Sequence, residues 1–98
     1  MMQVLVKNTE NIPRKYIKLI KWKMYNLAEK FKNLLYVEVF IKSEGTNPLE
    51  YQIKIRLGVS GHDIILTRKS QNLVALIHQI HNIAHVRLAE TKDKSTVF

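Results

Sequence analysis

Two stretches of strict alternation, one soon after the other, constrain this chain more than any other feature. In the first, Val37, Val39 and Ile41 alternate with Tyr36, Glu38, Phe40 and Lys42. In the second, Leu49, Tyr51, Ile53, Ile55 and Leu57 alternate with Glu50, Gln52, Lys54 and Arg56. Successive side chains of a strand point to opposite faces, so each stretch predicts a strand with one apolar and one charged side. Between them, Glu44-Gly45-Thr46-Asn47-Pro48 has the composition of a turn. The apolar sides need cover, and two helical patterns elsewhere in the chain supply it.

Residues 13–32 place Ile17, Ile20, Met24, Leu27 and Phe31 at three- and four-residue steps, the stripe of an amphipathic helix. Asn11 is a candidate cap, with Pro13 in the first turn, where its missing N–H costs nothing. A second helix is predicted after a cap at Ser70 or Asn72. Its stripe runs through Leu73, Leu76, Ile77, Ile80, Ile83, Ala84, Arg87 and Leu88, all apolar but Arg87. Val4, Leu5 and Val6 mark a short strand over residues 3–7. Gly58-Val59-Ser60-Gly61 reads as a hairpin connection leading into a strand over residues 62–67.

The element order is therefore β-α-β-β-β-α, an α+β fold. A right-handed crossover puts the first helix on one face of the sheet, and the last helix needs the same face. Two helices packed on one face of a four-stranded, mostly antiparallel sheet follow, with a charged face left open. Residues 1–90 are expected to form a single domain and residues 91–98 a polar, fraying tail. A chain of 98 residues supports one modest core.

With no cysteine, disulfide frameworks, zinc knuckles and thiol catalysis are excluded. The amino terminus lacks the pattern of a signal peptide, and no apolar run approaches the roughly 20 residues of a membrane helix. The expected setting is the cytoplasm, with no membrane partner.

The formal charge is +8, and it is unevenly spread. Residues 13–32 carry seven basic side chains (Arg14, Lys15, Lys18, Lys21, Lys23, Lys30, Lys32) against the single acid Glu29, whereas residues 33–67 carry three basic and four acidic ones. A concentrated basic helix attracts polyanions, while its plainest alternative is a solvated helix face. Projected at about 100° per residue, Arg14, Lys18, Lys21 and Lys32 form a stripe roughly 100° from the apolar one. Tyr25 falls inside that stripe and Trp22 beside it. Lysines reach phosphates and an exposed ring offers stacking to an unpaired base; alternatively both rings pack against a neighbouring element.

The last helix carries His78, His81 and His85 outside its apolar stripe. His81 and His85 have the spacing of a helical zinc pair, which His62 could join. A zincin needs glutamate directly after the first histidine, and Asn82 stands there, so a hydrolase is poorly supported. The histidines are candidate phosphate contacts that gain charge below about pH 6.5, candidate metal contacts, or a solvated polar face. No nucleophile elbow, carboxylate pair or phosphate-cradling loop stands out; no enzyme, cofactor, metal or small-molecule substrate is expected.

Taken together, the short first strand, the Pro-initiated basic helix, Val37-Glu38-Val39-Phe40-Ile41, the long alternating third strand, the hairpin and the final helix resemble the ribosome hibernation-promoting factor family. That family is also known as sigma-54 modulation protein or ribosome-associated inhibitor. The resemblance spans about Val4 to Leu88. It implies a fold similar to a double-stranded-RNA-binding domain. It also implies binding to small-subunit rRNA near the decoding region, blocking tRNA and mRNA during stress or stationary phase. By length the chain resembles the short form, without the carboxy-terminal domain of long members. The implied RNA contacts are Arg14, Lys15, Lys18, Lys21, Lys23, Tyr25 and Arg87. The last helix departs from the family pattern: where members show a basic run of the type Lys-Leu-x-Arg-Gln, this chain has Ile83-Ala84-His85-Val86-Arg87. A protein–protein module that kept the fold but lost the ribosome is the alternative, and an apolar patch on the open sheet face including Tyr36 and Phe40 would favour it.

Overall fold

The computed structural model describes residues 3–8 and 12–95, the side chains of Asn8 and of residues 92–95 excepted. The elements are β1 Gln3–Asn8, α1 Arg14–Lys30, β2 Leu34–Glu44, β3 Glu50–Val59, β4 His62–Ser70 and α2 Leu73–Ser95. Their order is the predicted one. The sheet runs β1-β2-β3-β4. β1 pairs parallel with β2, as a crossover through α1 requires, and the two remaining pairs are antiparallel.

The alternating stretches lie side by side with Val37 opposite Leu57, Val39 opposite Ile55 and Ile41 opposite Ile53. All six are buried, beneath Ile20, Met24 and Leu27 of α1 and Leu76, Ile77, Ile80 and Leu88 of α2. Burying each such side chain is worth about 1.5–3 kcal/mol relative to leaving it in water, which makes this interlayer the source of the fold's stability. No buried polar or charged residue occurs among those described.

Several boundaries differ from the sequence reading; α1 stops at Lys30, with Phe31 an extended cap that leaves Lys32 past the helix, and four further differences have a local reason. β2 begins at Leu34 because its register shifts between Leu34 and Tyr36. That bulge leaves Leu35 exposed and lets Leu34 and Val37, three apart, both point inward. Gly58 and Val59 belong to β3 rather than to the connection: only Ser60 and Gly61 turn, with Gly61 at φ +95°, which a glycine adopts without steric cost. α1 starts at Arg14 with Pro13 in the cap position and no side-chain cap; Asn11 lies outside the described residues. α2 runs on through Ser95, into the segment expected as a fraying tail. Its cap is Asn72, whose side-chain oxygen accepts from the Ala75 N–H at 3.0 Å, while Ser70 Oγ accepts from the Asn72 N–H.

Candidate nucleic-acid interface

α1 lies on the core by its stripe of Ile20, Met24 and Leu27, with Tyr16, Ile17 and Leu19 packed partly against it. Lys23 and Lys30 mark the α2 side, because both act electrostatically on His81 of that helix. Arg14, Lys18 and Lys21, with Tyr25, fall on the far flank, roughly 120–180° round the helix from Lys23 and Lys30. Lys32, by contrast, lies in the turn past the end of α1, after the extended Phe31, and is not part of the helical stripe. Lys15 and Trp22 sit on the crest between the two flanks. The predicted set is thus split: one outer face of three cations, and two lysines along the interhelical groove.

The outer and crest cations are exposed. Among the described residues none of them forms an ion pair; the ion pairs found there all join residues of β2, β3 and β4. No acid stands in the first turn of α1, so Arg14 and Lys15 meet the positive end of the helix dipole. That placement costs the helix a little and favours an anion nearby. Trp22 and Tyr25 are not packed away as the bland reading has it: they are 63 % and 48 % exposed.

The three histidines do not act as one stripe. His78 is exposed, whereas His81 and His85 turn toward α1. The His85 ring stands edge-on to Phe31 with centroids 5.1 Å apart. Nε2 of His81 is buried without a hydrogen-bond partner. Burial pushes its pKa below the ordinary histidine value, helped by the positive charges of Lys23 and Lys30 and by His85, and opposed by a hydrogen bond with Asn82. Among the described residues no group of three or more histidine, cysteine, aspartate or glutamate side chains that could hold a metal is found. Arg87 is exposed, roughly 120–160° round α2 from the side that carries His81 and His85, and is not brought to the α1 cations.

The open face of the sheet carries a cluster that the sequence reading passed over. The Tyr36 hydroxyl donates to Asp63 Oδ1 at 2.8 Å, and Arg56 Nε donates to Oδ2 at 2.8 Å. A second Arg56 nitrogen lies 2.7 Å from Oδ2, and a third is 3.6 Å from Glu38. Hydrogen bonds from Tyr36 and Arg56 hold the Asp63 carboxyl below its ordinary pKa. The strand register was its signal, since Tyr36, Glu38, Arg56 and Asp63 all occupy outward positions. Phe40 lies under the Lys7 ammonium, 5.5 Å from the ring centroid, and the exposed Leu5 and Ile65 are separated by Glu38 and Arg56. This face is a mesh of paired charges rather than an apolar patch. The two surfaces therefore differ in kind: Arg56, Glu38 and Asp63 compensate one another on the sheet, whereas among the described residues no ion pair is found on the outer face of α1.

The β-α-β-β-β-α fold itself is shared with solved structures. No family model matches the sequence, and no curated protein is found similar to it. Among solved structures, the chain is similar to a ribosomal subunit interface protein from Coxiella burnetii, with a TM-score of 0.80 at 11 % identity over 94 % of this chain and 99 % of that one. It is also similar to the N-terminal domain of Protein Y from Thermus thermophilus, with a TM-score of 0.67 at 14 % identity over 91 % and 94 % of the two chains. At these identities it is the fold that is common to all three.

Proposed function

We propose that this protein is a ribosome-associated hibernation factor, which binds rRNA of the small subunit through the outer face of α1 and holds translation off. One observation carries this reading: three exposed cations, Arg14, Lys18 and Lys21, share a flank of α1 on which no described acid pairs with them. The fold it shares with a ribosomal subunit interface protein supports the choice of the ribosome over other polyanions. In this reading the protein is a cytoplasmic binding module, and no described helix is long and apolar enough to cross a membrane. The alternative of a protein-only module loses its main support, because the open sheet face is charged and internally paired.

The test is co-sedimentation with small ribosomal subunits at two salt concentrations. Each neutralised phosphate releases counterions, so binding falls steeply as salt rises. Changing Arg14, Lys18 and Lys21 together to glutamate abolishes co-sedimentation and leaves the melting temperature within a few degrees. Ribosome binding that survives this triple reversal places the site elsewhere.

A further inference from the structure

Trp22 is the most exposed of the large hydrophobic side chains, at 63 %, and Tyr25 follows it on the same helix at 48 %. Three residues apart, the two side chains are neighbours on the helix surface, with Cβ atoms about 5–6 Å apart. A folded domain gains nothing by keeping two large rings in water beside its most charged surface. Their immediate surroundings are specific. Lys18 lies four residues before Trp22 and Lys21 four residues before Tyr25, so each ring has an exposed lysine one helical turn, about 5.4 Å, toward the amino terminus. Helical side chains lean that way, which carries each ring toward its lysine. The Lys23 ammonium stands over the Trp22 ring, 5.6 Å from its centroid, and the exposure of the ring leaves its other side open. The single acid of the helix, Glu29, lies one turn beyond Tyr25, on the carboxy-terminal side. Phosphate is therefore drawn to one end of the ring pair and repelled from the other.

We propose that Trp22 and Tyr25 form a stacking platform for unpaired bases, each base lying on a ring while its phosphate meets Lys18 or Lys21. The platform rests on the RNA-binding reading of α1 and adds to it a substrate class: RNA with bulged or single-stranded nucleotides rather than continuous duplex. The bases of a continuous duplex are stacked on each other and offer no free face, whereas an unpaired base exposes one to an aromatic ring.

Because Trp22 is the only tryptophan of the chain, its fluorescence reports on this position alone. The probes are an RNA hairpin with an adenosine bulge, the same hairpin fully paired, and polyglutamate. The bulged hairpin binds more tightly and quenches Trp22 emission. Trp22→Ala and Tyr25→Ala each weaken bulged-hairpin binding roughly tenfold. Both weaken paired-hairpin binding much less than bulged-hairpin binding, so the preference between the two collapses, and Trp22→Phe retains most of it. Both residues are exposed, so circular dichroism of the variants matches that of the parent. Equal affinity for the two hairpins, with no effect of Trp22→Ala, overturns the platform while leaving phosphate binding by α1 intact. Failure to bind either hairpin overturns the RNA reading itself. Quenching by polyglutamate as strong as by the bulged RNA assigns the rings to an acidic protein and overturns the platform.

Discussion

Tyr36 reaches across the neighbouring strand to Asp63: its ring lies over Gly58 and its hydroxyl donates to the Asp63 carboxylate at 2.8 Å. Gly58 pairs directly with Tyr36 on one side and with Asp63 on the other. A Cβ built on Gly58 would overlap the Tyr36 ring, so the missing side chain is what lets the ring lie flat. Alanine normally suits a strand better than glycine, but here sterics decide the sign. Gly58→Ala destabilises by about 1–3 kcal/mol, the usual range for overpacking. In a Tyr36→Ala background the same change costs little. Urea denaturation of the four proteins of this cycle measures the coupling, and strict additivity refutes the ring–glycine contact.

Asp63 gives the open face a pH dependence. Tyr36 and Arg56 stabilise its carboxylate, so its folded pKa lies below the unfolded value of 3.8. The folded state then binds fewer protons, and the contribution is complete above the unfolded value and lost as pH falls through the folded one. The melting temperature of the parent drops through that acidic window. Asp63→Asn starts lower at neutral pH and shows a shallower drop there; parallel curves for the two proteins rule the network out as the cause.

His81 works at milder pH. Burial disfavours its charged form, and Lys23 and Lys30 from α1 and His85 from α2 add to the effect, so its folded pKa lies below 6.5. The native state holds it neutral, which means stability is full above about 6.5 and declines as pH falls through the folded value. His81→Leu flattens the urea midpoint between pH 7.5 and 5.5. It also gains up to about 1 kcal/mol at neutral pH, because Nε2 no longer lies buried without a partner. An unchanged slope in the leucine variant moves the pH dependence to other groups.

The architecture was largely legible because its causes are periodic. Alternation in β2 and β3 and the stripes of α1 and α2 define both the elements and the side each one buries. What escaped was set by single residues acting across strands. Gly58 looks like a turn glycine until the register puts the Tyr36 ring over it. Leu35 breaks the alternation only because a bulge absorbs it. The basic face of α1 could be read from spacing alone, but its division into an outer flank and an interhelical flank could not. That division depends on where α2 lies, which the surroundings of His81 and the His85–Phe31 contact reveal.

Arg87 tests that geometry. The family resemblance puts it with the α1 cations as an RNA contact, whereas the structure leaves it exposed on a different side of α2 from His81 and His85. Arg87→Glu therefore lowers ribosome affinity only through the long-range field, less than threefold at physiological salt, where the Debye length is about 8 Å. Lys18→Glu removes a direct contact and lowers affinity at least tenfold. Equal losses in a filter-binding or sedimentation series would extend the interface onto α2.

Arg14 allows function and stability to be separated by sign. It opens α1 in a first turn that holds no acid, beside the unpaired N–H groups and the positive end of the helix dipole. Glutamate there is favourable by about 0.3–1 kcal/mol at low ionic strength, and the basic residue is unfavourable by a similar amount. Arg14→Glu therefore raises the melting temperature by a few degrees in low salt, an advantage that fades as salt screens it. The same substitution takes one cation from the outer face of α1, weakens ribosome binding and makes its salt slope shallower. A purely structural arginine would lose stability on reversal and leave binding alone. Opposite movements of melting temperature and affinity show that this position trades helix stability for an anionic partner.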